Sequence, residues 1–457
     1  MNSKPDLTRK LAEALLEWRD GAAFLRGVSV EQLAAAHGTP LFIYDAAALL
    51  KQYQQLRSAL PDAIDIYYSV KANPHPRVVG IFVDQGAGCE IASGGEYALA
   101  RLAGVAPNKI VFAGPGKGRD ELDYVVSRGI GEIHLESFEE VDTLESLAKQ
   151  HSATVGVSIR INPSAALGGG LLMGGQPTAF GFEEESLPEV VQAVSRRPHL
   201  RLRGIHLYTG TQILDADALL MHWQHAVALA KRLSNLISEP LQTIDLGGGL
   251  GIPYFAHERE LDLNRLAEGA RALVDSAKAD VKLAQCRFLV EPGRFLAGPA
   301  GIYVARVRSV KTCRGTTFVV LDGGMNHHLA ASGNLGQVVR RDYPMLNLSR
   351  SDSADKKTVV VVGPLCTPID TLGRKVILTS PRAEDLLGIF QSGAYGLTAS
   401  PINFLSHPTP VEVLVGEGKC ELITPRGSSG FQEALRNPGA DIKKDSEAQY
   451  LYAAHHH

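Results

Sequence analysis

Asp65-Ile66-Tyr67-Tyr68-Ser69-Val70-Lys71-Ala72-Asn73-Pro74 carries a short apolar run into a Lys and then a Pro turn. Such a run reads as a buried strand over Asp65–Val70 with Lys71 at its C-terminal end. Seven more runs follow: Gly88–Ala92, Ile110–Ala113, Glu132–Glu136, Val155–Ile161, Arg203–Tyr208, Thr243–Leu246 and Arg287–Glu291. Amphipathic stretches of helical period separate most of them, among them Gly95–Leu102, Glu139–Lys149 and Leu219–Leu236. Eight strands alternating with helices predict an α/β fold, a (β/α)8 TIM barrel. The rival, a doubly wound open sheet, lacks its signature, because no GxGxxG follows the first strand.

After Pro299 the texture changes. Ile302–Lys311, Thr317–Leu321, Thr358–Val362, Lys375–Leu378 and Val411–Val415 are β-rich, with Gly and Pro between them. They predict a second, mostly β C-terminal domain. The expected organisation is an N-terminal helix and strand over 1–45, with Leu41–Tyr44 joining the β domain, then the barrel over 46–299. The β domain covers 300–430 and a mobile tail 431–457. Arg350–Lys357, charged and Ser-rich, reads as an exposed loop. His455, His456 and His457 read as the remains of a purification tag and are set aside.

The 457 residues are 45% hydrophobic and 21% charged, enough for a large core without disulfide or metal staples. Lys plus Arg total 46 against 49 Asp plus Glu, a net charge of -3, which argues against a nucleic-acid partner. Five scattered Cys, at 89, 286, 313, 366 and 420, form no CxxC pair and fit a reducing compartment. No apolar run reaches the roughly 18 residues that span a bilayer. The N-terminus is charged throughout and reads as an amphipathic helix with Leu11, Leu15 and Leu16 on one side, not as a secretory signal. The expectation is a soluble cytoplasmic protein.

Active sites of such barrels lie at the C-terminal ends of the strands, where Lys71 stands. Partial desolvation there is expected to lower its pKa and free the amine for imine formation. Asp245-Leu246-Gly247-Gly248-Gly249-Leu250-Gly251 ends the seventh strand, and consecutive glycines let backbone N–H groups close on a phosphate. Val290-Glu291-Pro292-Gly293-Arg294 ends the eighth and brings a carboxylate and a guanidinium to the same mouth. Singly, these read as a solvated Lys, a Gly turn and a structural ion pair. Together, an amine, a phosphate cradle and a carboxylate are what pyridoxal 5′-phosphate requires.

Here the chain resembles the barrel-type, alanine-racemase-like pyridoxal-phosphate decarboxylases of ornithine, arginine and diaminopimelate. The resemblance runs from about Pro40 to Val415. It rests on YSVKAN, CEIASGGE (Cys89–Glu96), GIHLYTGTQ (Gly204–Gln212), DLGGGLG, VEPGRF, GPLCTPID (Gly363–Asp370) and SGAYG (Ser392–Gly396). It implies that Lys71 bonds the cofactor and Glu291 holds its ring nitrogen. Gly248, Gly249, Tyr395 and the hydroxyl of Thr211 would contact the phosphate, with Arg294 near phosphate or substrate. It also implies a homodimer with shared sites, in which Cys366 and Asp370 enter the partner's site. Cys366 would return a proton to the product, and Asp370 would bind the substrate amine or its distal part. Racemases of this fold place Arg rather than a carboxylate at the ring nitrogen, so Glu291 favours decarboxylation.

Two departures bear on the substrate. Tyr208 replaces the His that the family commonly stacks on the cofactor ring. Thr367-Pro368 stand where diaminopimelate decarboxylases have a Glu that binds the distal end of their substrate. With Leu171–Gly181, Asp322–His328 and Phe404–Pro408, this resembles a biosynthetic subgroup acting on amino acids attached to something larger, such as acyl-carrier-protein thioesters or citrate conjugates. The long Gly-rich insert Gly168–Gly175 is expected to border a wide entrance. The expected activity is therefore α-decarboxylation of a tethered or conjugated amino acid, with free meso-diaminopimelate as the alternative substrate. A non-catalytic cofactor-binding regulator is the alternative of another class, opposed by the presence of both Lys71 and Cys366. No metal is expected. His327-His328, adjacent in sequence, point in different directions and lack a matching ligand set.

Overall fold

Strands covered by helices outside and packed side chains inside must be apolar on both faces. The computed structural model describes residues 7–427 apart from 165–170, 173–176, 338–339 and 351–354. Its barrel strands are Ile64–Ser69, Gly88–Ile91, Ile110–Phe112, Glu132–Leu135, Val155–Asn162, Leu200–Leu207, Thr243–Asp245 and Arg287–Val290. Neighbours pair in parallel, and the ring closes where Arg287–Val290 meets Ile64–Ser69. Phe182–Glu183 adds a short parallel segment beside Ile161 and Asn162.

Two of the turns that carry the site are set by local capping. Ser93 accepts from the Glu96 N–H while the Glu96 carboxylate accepts from the Ala92 N–H, and Ser137, Glu140 and Glu136 repeat the arrangement. Each Ser-x-x-Glu satisfies helix N–H groups that have no partner within the helix, and so fixes where strand gives way to helix.

The β domain is organised by the long strand Gly301–Cys313. It pairs antiparallel with Leu41–Asp45, with Thr316–Leu321 and with Leu386–Ile389. Leu41–Asp45 also lies parallel to Val411–Gly416, so the N-terminal strand is stitched into this sheet. One hydrophobic cluster runs from Ile64 and Phe288 in the barrel to Tyr303 and Ile389 in the β domain. The barrel mouth faces that junction.

The structure adds elements the sequence pattern did not yield. The N-terminal helix stops at Leu15, and Leu16 begins the first strand of a small three-stranded sheet with Ala22–Leu25 and Val28–Ser29. Leu15 and Leu16 are buried, but on different elements. Met345–Asn347, Leu386–Ile389 and Lys419–Thr424 are further strands of the β domain. The expected loop over 350–357 is shorter: Lys356 already begins a strand, and 351–354 lie outside the described residues. So do the tail beyond Gly430 and the terminal His residues. No described helix is long and apolar enough to cross a membrane.

Candidate active site

Lys71 lies in a single 3-10 turn, Val70–Ala72, directly after the first barrel strand. A cavity of about 440 Å³ opens there. Its wall brings together Lys71, Tyr208, Thr211, Glu291, Arg294 and Tyr395, side chains singled out in the sequence from four separate stretches. Tyr395 reaches it through a backbone at φ 54, anchored by its N–H on the Ala72 carbonyl at 2.8 Å. The β domain is thereby fixed to the turn that holds Lys71.

The Lys71 amine is not free as the sequence suggested. Its Nζ lies 2.9 and 3.0 Å from the two oxygens of Glu90, whose side chain is 3% exposed. Burial alone would lower the amine, yet its pKa is raised, because Glu90, followed by Tyr395, Glu291 and Tyr208, favours the ammonium. The general rule of a desolvated Lys fails here because a buried carboxylate from the second strand faces it.

Glu291, at the end of the eighth strand, sits 3.5 Å from His206 Nε2. Burial would raise its carboxyl, but His206 holds it well below the usual carboxylate range, helped by His134 and Lys71. Glu291 Oε1 is a buried acceptor with no partner among the described residues, and Arg294 Nε is a buried donor in the same condition. Arg294 Nη1 donates to the Tyr254 hydroxyl at 2.9 Å, and its guanidinium lies 4.6 Å from the centre of the Tyr395 ring. The Tyr208 ring faces Lys71, with Nζ 6.0 Å from its centre.

Gly248 and Gly249 do not line the cavity; they form the turn behind it. A Cβ on Gly248 would stand 2.6 Å from the Glu291 carbonyl oxygen, and Gly249 holds φ 97. Only glycine lets the turn close against Glu291 and keep its N–H groups available for an anion. These residues fit pyridoxal 5′-phosphate: an amine for its aldehyde, an orphaned acceptor for a ring N–H, and donors with a glycine turn for its phosphate.

Two expected site residues stand elsewhere. Cys366 is exposed and off the cavity of its own chain. Asp370, expected to meet the substrate, instead accepts from the Met325 N–H at 2.7 Å and the Leu365 N–H at 2.9 Å, and is 1% exposed. Its two oxygens are used in shaping the loop that presents Cys366. The insert 168–175 lies outside the described residues, apart from Leu171–Leu172, whose backbone pairs with Gly210–Thr211. His327 and His328 are buried and separately engaged, with the Pro408 carbonyl and the Ser392 hydroxyl respectively.

Glu90, Arg160, His206, Tyr254 and Phe255 also line the cavity and were not singled out. Glu90, Arg160 and His206 had a legible signal: each is a charged or polar residue near the end of a predicted barrel strand. Tyr254 and Phe255 follow the glycine turn and had none.

The model of the pyridoxal-dependent decarboxylase, pyridoxal binding domain matches residues 46–298. The chain is 41% identical over 395 residues to the L-glutamyl-[BtrI acyl-carrier protein] decarboxylase of Niallia circulans, covering 86% of this chain and 92% of that one. It is 32% identical over 431 residues to the diaminopimelate decarboxylase of Aquifex aeolicus, covering 93% and 98%. The solved diaminopimelate decarboxylase of M. jannaschi superposes with a TM-score of 0.83 at 25% identity, over 94% of this chain and 98% of that one.

Proposed function

The chain belongs to the pyridoxal-dependent decarboxylases, and we propose that it removes the α-carboxylate of an amino acid whose distal end is tethered to a carrier or conjugated to a larger group. The observation that carries this reading is the charge inventory of the cavity. Among its described lining residues the only carboxylates are Glu90, paired with Lys71, and Glu291, beside His206. The rest of the wall includes Phe180, Phe255, Ala330, Leu335, Gly336 and Gln337. A free distal ammonium would be desolvated there without an anion, a cost of several kcal/mol. Thr367 and Pro368 supply no charge either. The carrier-linked substrate named for the Niallia relative supports the same choice.

When bound, pyridoxal 5′-phosphate supplies an aldehyde for the substrate amine and a ring that accepts the electron pair left by the departing carboxylate. The chain's residues divide the remaining work. Lys71 presents the attachment amine, and Glu90 exchanges a proton with it. Glu291, kept ionised by His206, would hold the ring nitrogen through Oε1, its free acceptor among the described residues. Thr211, Arg294 and the Gly248–Gly249 turn would hold the phosphate, and Arg294 would also be available to substrate anions. Tyr208, whose ring faces Lys71, would offer the cofactor an aromatic surface without the positive charge an imidazolium would bring. Cys366, exposed on a loop shaped by Asp370, acts in the partner subunit of a homodimer, delivering a proton from Sγ to the α-carbon. Free cysteines fit a cytoplasmic setting.

The test is release of carbon dioxide from glutamate thioesterified to a carrier protein, a citrate-conjugated diamino acid and free diaminopimelate under equal conditions. The proposal expects the larger specificity constant for a tethered or conjugated substrate. Fast turnover of free diaminopimelate with none on the others would contradict it.

A further inference from the structure

Beneath the Glu291 carboxylate the barrel interior holds a buried set of ionisable groups, of which Asp245, Glu132 and His134 have no part in the reaction above. Asp245 ends the seventh strand and is 0% exposed. Its Oδ1 accepts the Gly247 N–H at 2.9 Å, while Oδ2 is buried without a hydrogen-bond partner among the described residues. His134 Nε2 lies 3.7 Å from that Oδ2 and 3.5 Å from Glu132 Oε1. The rings of His134 and His206 stand 4.4 Å apart, and His206 reaches Glu291. One donor atom each from His134, His206, Asp245 and Glu291 falls within 4.8 Å of the others.

Two carboxylates this close and this dry cannot both be ionised. The groups that face Asp245 are Glu291, Glu132, His134, His206 and, from the first strand, Tyr67. Glu291 has the Lys71 ammonium on its cavity side, whereas Asp245 faces two carboxylates, Glu291 and Glu132, and no Lys or Arg among the groups named. We propose that Asp245 is a positioning residue that keeps its proton and donates it to Glu291, so that the ionised carboxylate of the pair is the one facing the cofactor's ring nitrogen. Burial and the neighbouring Glu291 both push the Asp245 carboxyl up, in the direction this assignment needs. With Asp245 as donor and His206 Nε2 3.5 Å from its other oxygen, Glu291 keeps Oε1, which has no partner among the described residues, for the ring. The same four side chains have the chemistry of a metal site. A cation there would neutralise Glu291 and remove its hold on a protonated ring, so the proposal also predicts that none is bound.

The experiment uses holoenzyme carrying Asp245→Asn or Asp245→Ala, reading the bound cofactor's absorbance against pH and its dissociation constant. Asn copies the shape of a protonated Asp and can still accept from Gly247 and donate to Glu291. It should keep the wild-type absorbance profile and hold the cofactor within about threefold. Ala removes the donor, so it should shift the profile and weaken binding by about tenfold or more. Asn behaving like Ala would overturn the proposal, because Asp245 would then be needed as a charge. A second reading comes from wild type by infrared spectroscopy. A buried carboxylic-acid C=O band should persist at about pH 9, far above ordinary carboxyl pKa values, and its absence would overturn the proposal whatever the variants' folding. Stoichiometric metal in active protein, lost together with activity on chelation, would do the same.

Discussion

Glu90 grips Lys71 with both oxygens, at 2.9 and 3.0 Å, so the amine at the barrel mouth is half of an ion pair. Ser69, the last residue of the first barrel strand, donates its hydroxyl to Glu90 and fixes the carboxylate's orientation. Attachment of an aldehyde needs the neutral amine. The pair therefore sets how readily the free protein takes up its cofactor.

Glu90→Gln keeps the shape and removes the charge. Cofactor-free Glu90→Gln protein should regain its cofactor at pH 7 about tenfold faster than wild type, because loss of an opposite charge lowers the amine. The advantage should shrink only once pH reaches the variant's lower amine pKa, where its amine is already neutral and only the wild type still gains. Stopped-flow absorbance measures this, and equal rates at pH 7 would show that Glu90 does not control the amine.

Glu291→Gln should bind the cofactor yet lose most decarboxylation, since an amide cannot supply the charge-assisted contact that keeps a ring N–H protonated. Turnover within about threefold of wild type would leave the carboxylate with only a structural part.

How legible was this in the sequence? The barrel was readable because each strand is a short apolar run closed by a turn, a local signal repeated from Asp65 to Glu291. The cavity's principal groups were readable for a related reason: barrel topology sends every strand end to one face, so Lys71, Tyr208 and Glu291 converge. What escaped depends on contacts between distant segments. The direction of the Lys71 shift is set by Glu90, on another strand, and no rule applied to Lys71 alone contains it. Asp370 looks like a substrate ligand beside Cys366, until the backbone N–H groups of Met325 and Leu365 take up its oxygens. Leu16 fits the helical stripe of Leu11 and Leu15, but pairing with Leu25 draws it into a strand.

Buried imidazoles give the fold an acid-sensitive stability. Burial pushes His327 down to about 4 and His328 down to about 3, from 6.5. Both bind protons more weakly folded than unfolded, so stability is full above 6.5 and falls as pH drops from there toward those values. Each group then contributes about 1.4 kcal/mol per pH unit to the slope. His328→Gln should be less stable at pH 7 but lose stability less steeply between pH 6 and 4, as denaturant titrations would show. An unchanged slope would mean that His328 is charged in the folded protein.

The proposed sharing of sites between two subunits predicts complementation. Lys71→Ala and Cys366→Ala should each be nearly inactive alone. After random exchange about half of the dimers are mixed, each with one intact site, so about a quarter of wild-type activity should return. No recovery despite proven exchange would place both residues in one subunit's site.

The central claim is that Lys71 carries the cofactor. Lys117 is the competing amine to exclude, a buried lysine beside Gly114 of the cavity wall but committed to Glu140 at 2.7 Å. Borohydride reduction of the holoenzyme, followed by peptide mass spectrometry, separates them. The pyridoxyl group should be found on the peptide containing Lys71; finding it on Lys117 or any other lysine, or on none, would contradict the account.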